Sequence, residues 1–169
     1  MKTILVSVDL SPATFHVCAA AADLASATGA RLVILHAAPS FPNVIYGFDA
    51  FTAVQVDTYN RAARKSAAHK LQALQHWFNK RIPGTRMALH DGAPAEVILK
   101  TARRLNADYL VIGSHGHGAM YDLVAGSTTR AVLRKAPCPV VLVPITKQTG
   151  KVHPKRIRTS LSGLPWIID

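Results

Sequence analysis

The stretch Lys2–Thr14 (KTILVSVDLSPAT) decides the fold class of this chain. Its first half is rich in Ile, Leu and Val and stops at Asp9, which predicts a buried strand over residues 2–8. Ser11 and Pro12 follow as the expected N-cap and first helical residue, so the strand should lead directly into a helix. A strand that passes through a short turn into a helix is the first half of a parallel βαβ unit.

The same alternation continues as far as residue 143. Short apolar runs alternate with longer segments of helical period, often bounded by Gly or Pro. The expected strands cover residues 2–8, 31–37, 85–90, 108–112 and 140–143, and the expected helices cover 13–28, 53–80, a segment behind Pro94 and 127–135. Right-handed crossovers turn this alternation into a parallel sheet with helices on both faces. We therefore predict a doubly wound α/β fold with strand order 3-2-1-4-5.

Composition and charge limit the classes of function. The chain has 169 residues, 49% hydrophobic and 17% charged, which suits one folded domain, expected at residues 1–145, and a basic tail at 146–169. No window reaches the ~18 apolar residues of a membrane span, so we expect a cytoplasmic protein without a membrane partner. The net charge of +11 lacks the Lys/Arg stripe with interleaved aromatic residues that indicates a nucleic-acid groove. Cys18 and Cys138 have no CxxC or metal-ligand spacing and are expected as small buried side chains.

A glycine-rich segment, Gly113–Ser127 (GSHGHGAMYDLVAGS), should leave the fourth strand and enter the last helix. Glycine lets a backbone approach a ligand closely, and inward-facing amide N–H groups at a helix start can hold an anion without a charged side chain. Ser127 and Thr128 add hydroxyl groups at the positive end of the helix dipole. The segment can therefore cradle a phosphate, although glycine-rich turns also occur without any ligand.

The expected strand order places this segment beside the first strand. In an open α/β sheet, ligands bind outside the carboxyl ends of the strands where the strand order reverses, here between strands one and four. Asp9 leaves the first of these strands and the glycine segment leaves the other. A carboxylate that faces ribose hydroxyls across from a phosphate cradle predicts a nucleotide site.

The glycine spacing Gly113-x2-Gly116-x9-Gly126-Ser127 resembles the ATP-binding signature of universal stress proteins. The runs ILVSVDLSPAT, LHA, APAEVILKTARRLNADYLVIGSHG and APCPVVLVP also occur in the order typical of that family. The resemblance covers residues 1–145. It implies a fold of the Rossmann-like adenine nucleotide alpha hydrolase type and a nucleotide-dependent role in stress response or regulation.

The resemblance also implies a ligand, a set of contacts and an assembly. The ligand would be ATP, and Mg²⁺ would accompany its triphosphate. Asp9 would contact the nucleoside with the backbone of Ser7 and Val8 nearby, and Ala37 would contact adenine. The remaining contacts would be Ile112 and Gly113 at the base and ribose, with Gly116, His117, Gly126, Ser127 and Thr128 at the phosphates. The family commonly forms homodimers, which implies pairing of two copies through Val140–Val143.

Signatures of catalysis and of metal binding are weak in this sequence. No Walker lysine follows the glycine segment, and no GxSxG or HExxH motif occurs, so we expect no catalytic residue and at most slow ATP hydrolysis. His115 and His117, with His36 and His90 at strand ends, do not define the converging ligands of a metal site. Two alternatives stay open: a weak ATPase or nucleotidyl-transfer enzyme, and a basic adaptor with a vestigial pocket.

Overall fold

Five parallel strands form one sheet in the order β3-β2-β1-β4-β5. The computed structural model describes residues 1–38, 50–114 and 126–145. The strands are β1 Thr3–Val8, β2 Arg31–Ala38, β3 Arg86–Asp91, β4 Tyr109–Gly113 and β5 Val140–Val143, and the helices are α1 Thr14–Thr28, α2 Ala50–Asn79, α3 Pro94–Arg104 and α4 Ser127–Lys135. The predicted fold class and strand order are confirmed. The expected tail at 146–169 lies outside the described residues, so the domain division stays a prediction.

Helices cover both faces of the sheet because the strand side chains alternate between two apolar clusters. Ile4 and Val6 of β1 belong to the cluster that α1 and the second half of α2 complete. Leu5 belongs to the opposite cluster, which α3 and α4 complete. All three side chains are fully buried. The central position of β1 therefore holds its carboxyl end in the middle of one edge of the molecule.

The turn between β1 and α1 differs from the sequence prediction. The Oδ1 atom of Asp9 accepts the N–H of Ser11 at 3.0 Å, and Leu10 between them has a φ of 60°. Helix α1 then begins at Thr14, whose N–H donates to the carbonyl of Ser11 at 3.0 Å. The predicted Ser11 side-chain cap is therefore wrong, because the Asp9 carboxylate organises this turn and delays the helix start. The predicted end of α1 at Gly29 is confirmed, with a φ of 62°.

The helix expected over residues 53–80 has apolar residues at every third or fourth position, and α2 buries this stripe only in its second half. Ala67, Leu71, Leu74 and Phe78 lie in the core, whereas Tyr59 is 63% exposed. The ring of Phe78 lies against neighbouring aromatic rings at centroid distances of 4.7 and 5.3 Å. Helical periodicity identifies one face of a helix, but the sheet determines how much of that face is covered.

No helix in the described ranges is long and apolar enough to cross a bilayer.

Candidate functional site

The carboxyl end of β1 carries a compact polar turn. Asp9 is half-buried, and one of its carboxylate oxygens accepts the N–H of Ser11. Leu10 has left-handed backbone geometry, which costs a residue with a β-carbon about 1–2 kcal/mol. Such geometry concentrates at functional sites, where the surrounding structure enforces it. The first strand therefore ends in a fixed turn that presents a carboxylate at the sheet edge.

The neighbouring exit of β2 is linked to this turn through a histidine. His36 is paired in register with Val8, and its Nδ1–H donates to the Val8 carbonyl at 2.8 Å. A carbonyl oxygen can only accept, so this bond assigns the ring proton to Nδ1 and leaves Nε2 as an acceptor in the neutral ring. The carbonyl of Val8 is consequently engaged within the protein.

Three of the expected nucleoside contacts lie on one face of the sheet. Ser7 of β1 is paired in register with Ile112 of β4, and Ala37 belongs to β2 on the other side of β1. Alternation along the strands places all three on the face covered by α3 and α4. Ser7 is half-buried, whereas Ala37 and Ile112 are buried. The structure thus brings these residues to adjoining strand ends.

Ser114, directly after β4, connects three parts of this edge. Its N–H donates to the carbonyl of Val143 at 2.8 Å, and its own carbonyl accepts the N–H of Gly126 at 2.9 Å. Its hydroxyl accepts the N–H of Ile145 at 3.0 Å. Ser114 is buried. The two ends of the glycine-rich segment are therefore joined directly to each other and to the end of β5.

A second bond fixes the start of α4 against β4. The hydroxyl of Thr129 donates to the carbonyl of Gly113 at 3.0 Å, and the Thr129 side chain is buried. The backbone of Gly126 is extended, with φ −66° and ψ 165°, and its carbonyl accepts the N–H of Arg130. Gly126 is therefore the N-cap of α4. It has no side chain, so no cap oxygen satisfies the first amides of the helix.

The amide donors left at this helix end lie in its first three residues. The first turn of an α-helix leaves its N–H groups without helical acceptors. The N–H of Gly126 donates to Ser114, but those of Ser127, Thr128 and Thr129 have no acceptor within the described residues. These donors lie at the positive end of the α4 dipole. The start of α4 can consequently hold an anion, with residues 127–129 rather than Gly126 as the donors.

Part of the expected phosphate site cannot be placed. Gly116 and His117 lie outside the described residues, as do His115 and Gly118. Ser127 is exposed and Thr128 is half-buried at the helix start, and Gly113 is half-buried at the end of β4. The residues that are described contain no group of three His, Cys, Asp or Glu side chains that could hold a metal ion.

Sequence reasoning missed three residues that shape this edge. Ser114 and Thr129 fix the two ends of the glycine-rich segment, and His36 links the exits of β1 and β2. The sequence offered one signal for two of them: Ser114 follows a strand directly, and Thr129 lies in the first turn of a helix. Their bonds span 12 to 31 residues, so no local pattern could identify the partners.

Comparison with known proteins gives a consistent result along most of the chain. The family model described as universal stress protein family matches residues 1–144. Universal stress protein A homolog 1 of Coxiella burnetii is 32% identical over 145 residues, which cover 84% of this chain and 95% of that protein. A universal stress protein of Thermus aquaticus is 36% identical over 142 residues, which cover 84% and 98% of the two chains.

Solved structures show the same architecture. The universal stress protein UspA from Lactobacillus plantarum superposes with a TM-score of 0.74 at 25% identity, over 84% of this chain and 97% of that one. A universal stress protein solved in complex with cAMP superposes with a TM-score of 0.58 at 22% identity, over 84% and 96% of the two chains.

Proposed function

The chain belongs to the universal stress protein family, and we propose that it binds ATP between the carboxyl ends of β1 and β4. This is the point where the strand order reverses, because β2 and β3 lie on one side of β1 and β4 and β5 on the other. Ligands of doubly wound sheets bind at such a point. The proposed role is that of a nucleotide-dependent stress or regulatory protein with at most slow hydrolysis.

The observation that carries the proposal is the set of amides at the start of α4. Three successive N–H groups, from Ser127 to Thr129, have no acceptor among the described residues, and no N-cap side chain covers them. Amides in this arrangement bind phosphate through hydrogen bonds and the helix dipole. The hydrogen bonds from Thr129 to Gly113 and from Gly126 to Ser114 hold this helix end against β4. The donors are therefore oriented before any ligand arrives.

The nucleoside would lie beside the phosphate site on the α3–α4 face. Ser7, Ala37 and Ile112 form the sheet surface there, and Asp9 presents its carboxylate at the end of β1. A carboxylate accepts hydrogen bonds from ribose hydroxyls, which distinguishes a nucleotide from inorganic phosphate. The complex of a related fold with cAMP supports an adenine nucleotide as the class of ligand.

The charge of the residues at this edge affects whether ATP binds with or without Mg²⁺. The segments that leave β1 to β4 contain no Lys or Arg along the whole sequence, and Arg130 is the first cation of α4. The backbone amides at the start of α4 and the α4 dipole would therefore compensate most of the negative charge of the triphosphate. We expect Mg²⁺ to increase the affinity for ATP, because the cation would neutralise charge that no side chain at the strand exits neutralises.

A pair of substitutions at one residue tests the amide site. Ser127→Pro removes the N–H of the first helical residue, where proline is favoured, and Gly126 already has the extended conformation required before proline. Ser127→Ala keeps the amide and removes only the hydroxyl. A hydrogen bond to a charged group contributes about 1.5–3 kcal/mol, so Ser127→Pro should weaken ATP binding roughly 10-fold to 150-fold.

Isothermal titration calorimetry with ATP, ADP, AMP and cAMP, each with and without Mg²⁺, measures the outcome. The proposal expects ATP binding that Ser127→Pro weakens much more than Ser127→Ala, with unchanged thermal stability in both variants. Equal affinity in the wild type and Ser127→Pro would contradict it. Continuous phosphate release in the same samples would instead favour the weak ATPase.

A further inference from the structure

The basic residues of this protein are concentrated at the edge of the sheet opposite the proposed nucleotide site. Helices end and strands begin at this edge, which comprises residues 1–3, 28–31, 79–86, 103–108 and 134–139. We call it the amino edge. Its segments contain nine Lys and Arg residues and one acidic residue, Asp108, a net charge of +8. All of these segments belong to the described part of the chain.

The connections that lead from β1 to β4 into the next helix lack basic residues. The segments that lead from a strand into the next helix are residues 9–13, 39–49, 92–93 and 114–126, and by sequence they contain no Lys or Arg. Their charged residues are Asp9, Asp49 and Asp122. By sequence, the connections that lead from helices into strands are therefore basic, and those that lead from β1 to β4 into the next helix are not. Only the fold reveals this, because the nine basic residues are scattered over 134 positions of the sequence.

Apart from Arg104, whose guanidinium lies 3.0 Å from Nε2 of His90, six cations of the amino edge are exposed and have no ion-pair partner among the described residues. They are Lys2, Lys80, Arg86, Arg103, Arg134 and Lys135, and no carboxylate of the described residues lies within 4.0 Å of any of them. Arg81 at the same edge is paired with Asp23, and Asp108 accepts the N–H of Thr3 at 2.7 Å. The helix dipole stabilises cations near the C-terminal end of a helix, which accounts for the positions of Arg103, Arg134 and Lys135. It does not account for Lys2 and Arg86 at strand starts.

The six cations form a two-dimensional array. Lys80 follows α2 on one face of the sheet, and Arg103, Arg134 and Lys135 end α3 and α4 on the other. Lys2 and Arg86 lie at the starts of β1 and β3. Five strands at about 4.8 Å spacing make the edge roughly 20 Å wide along the sheet. No helix or hairpin extends from it, because its connections are two to six residues long.

From this arrangement we infer that the amino edge docks peripherally on an anionic lipid bilayer, which would revise the sequence-based expectation of no membrane partner. A planar charged surface matches a two-dimensional array of cations, and it attracts those that lie within about one Debye length, ~10 Å at moderate ionic strength. A nucleic acid duplex curves away from a flat edge, and this edge has no protruding helix or ribbon that could enter a groove. Docking in this orientation would leave the carboxyl ends of the strands facing solvent, so the inference does not depend on the proposed nucleotide site.

Vesicle co-sedimentation with the full chain tests the inference. The probes are vesicles of phosphatidylcholine alone, vesicles that also contain phosphatidylserine, and a short DNA duplex. Each Lys or Arg near an anionic membrane strengthens binding about fivefold, so Lys80→Gln, Arg134→Gln and Lys135→Gln together should weaken binding to phosphatidylserine vesicles roughly 100-fold. The matched control is Lys65→Gln, Lys70→Gln and Lys100→Gln, which removes the same charge from the middle of α2 and α3.

The expected result is salt-sensitive binding to the phosphatidylserine vesicles only, which the amino-edge triple variant loses and the control triple variant largely keeps. Equal losses in the two triple variants would overturn the inference, because net charge alone would then explain the binding. No loss in either would assign the binding to another segment and overturn it as well. Binding to DNA but not to vesicles would replace the bilayer with nucleic acid.

Discussion

Two buried threonine hydroxyls, each in the first turn of a helix, should respond differently to the same substitution. Thr14 and Thr129 both lie in the first turn of a helix that follows a strand, and their exposed fractions are 2% and 6%. The hydroxyl of Thr129 donates to the Gly113 carbonyl at 3.0 Å. The hydroxyl of Thr14 has no hydrogen-bond partner in the part of the chain that the structure describes. Thr→Val replaces the hydroxyl with a methyl group of nearly the same size.

The magnitude follows from the hydrogen bond alone. Thr and Val have similar helix propensities, and the substitution leaves no cavity, so we expect the hydrogen bond to dominate the effect. Thr129→Val should lower the free energy of unfolding by about 1 kcal/mol, the net value of a typical hydrogen bond. Thr14→Val should leave it unchanged or raise it by about 1 kcal/mol, because an unpaired buried hydroxyl is removed. The two variants should therefore differ by about 1–2 kcal/mol.

Urea denaturation measured by circular dichroism gives both values at constant m. Thermal melts should show a corresponding difference of about 2–4 °C per kcal/mol for a chain of this size. A Thr129→Val variant as stable as the wild type would refute the assigned bond. A Thr14→Val variant as unstable as Thr129→Val would refute the unpaired state of Thr14.

Three further predictions concern the rest of the fold. Phe78→Ala should lower the free energy of unfolding by about 3–5 kcal/mol because Phe78 is fully buried, whereas Tyr59→Ala at an exposed position should change it by less than about 0.5 kcal/mol, both measured by urea denaturation. Gly29→Ala should cost about 1 kcal/mol in the same assay, since a β-carbon there meets no atom within 4 Å and only the φ of 62° opposes it. Burial raises the pKa of the Cys18 thiol, and burial with the Asp108 carboxylate raises that of Cys138. A thiol reagent should therefore modify half-buried Cys138 slowly at neutral pH and more rapidly as the pH rises, because only the thiolate reacts. Buried Cys18 should react only when the protein unfolds. Rapid modification of both thiols at neutral pH would contradict this prediction.

The sequence predicted the architecture because its signals are local. Apolar runs of strand length alternate with helical periods, and the bounds of β5 and α4 agree with the prediction at every residue. The start of α1 was predicted too early because Asp9, rather than Ser11, organises the turn. The apolar period of α2 extends to Tyr59, but that side chain is 63% exposed, so the period alone overstates the buried length of the helix.

The candidate site was predictable in location but not in detail. Strand order and glycine spacing indicate the sheet edge where we propose the site, since both are properties of the linear pattern. The engaged N–H of Gly126 and the bonds of Ser114 and Thr129 depend on how two distant chain segments meet. The charge difference between the two edges has the same origin. Each connection lies at the amino or the carboxyl ends of the strands, and the topology decides which. The charge difference is therefore recognised only after the topology is known.

The most direct test concerns the three amides at the start of α4. Titration of isotope-labelled protein with ATP and Mg²⁺, followed by proton–nitrogen correlation spectra, reports on each N–H separately. The account predicts downfield amide proton shifts at Ser127, Thr128 and Thr129, since these donors would gain charged acceptors. Saturating ATP that leaves all three signals in place would contradict it.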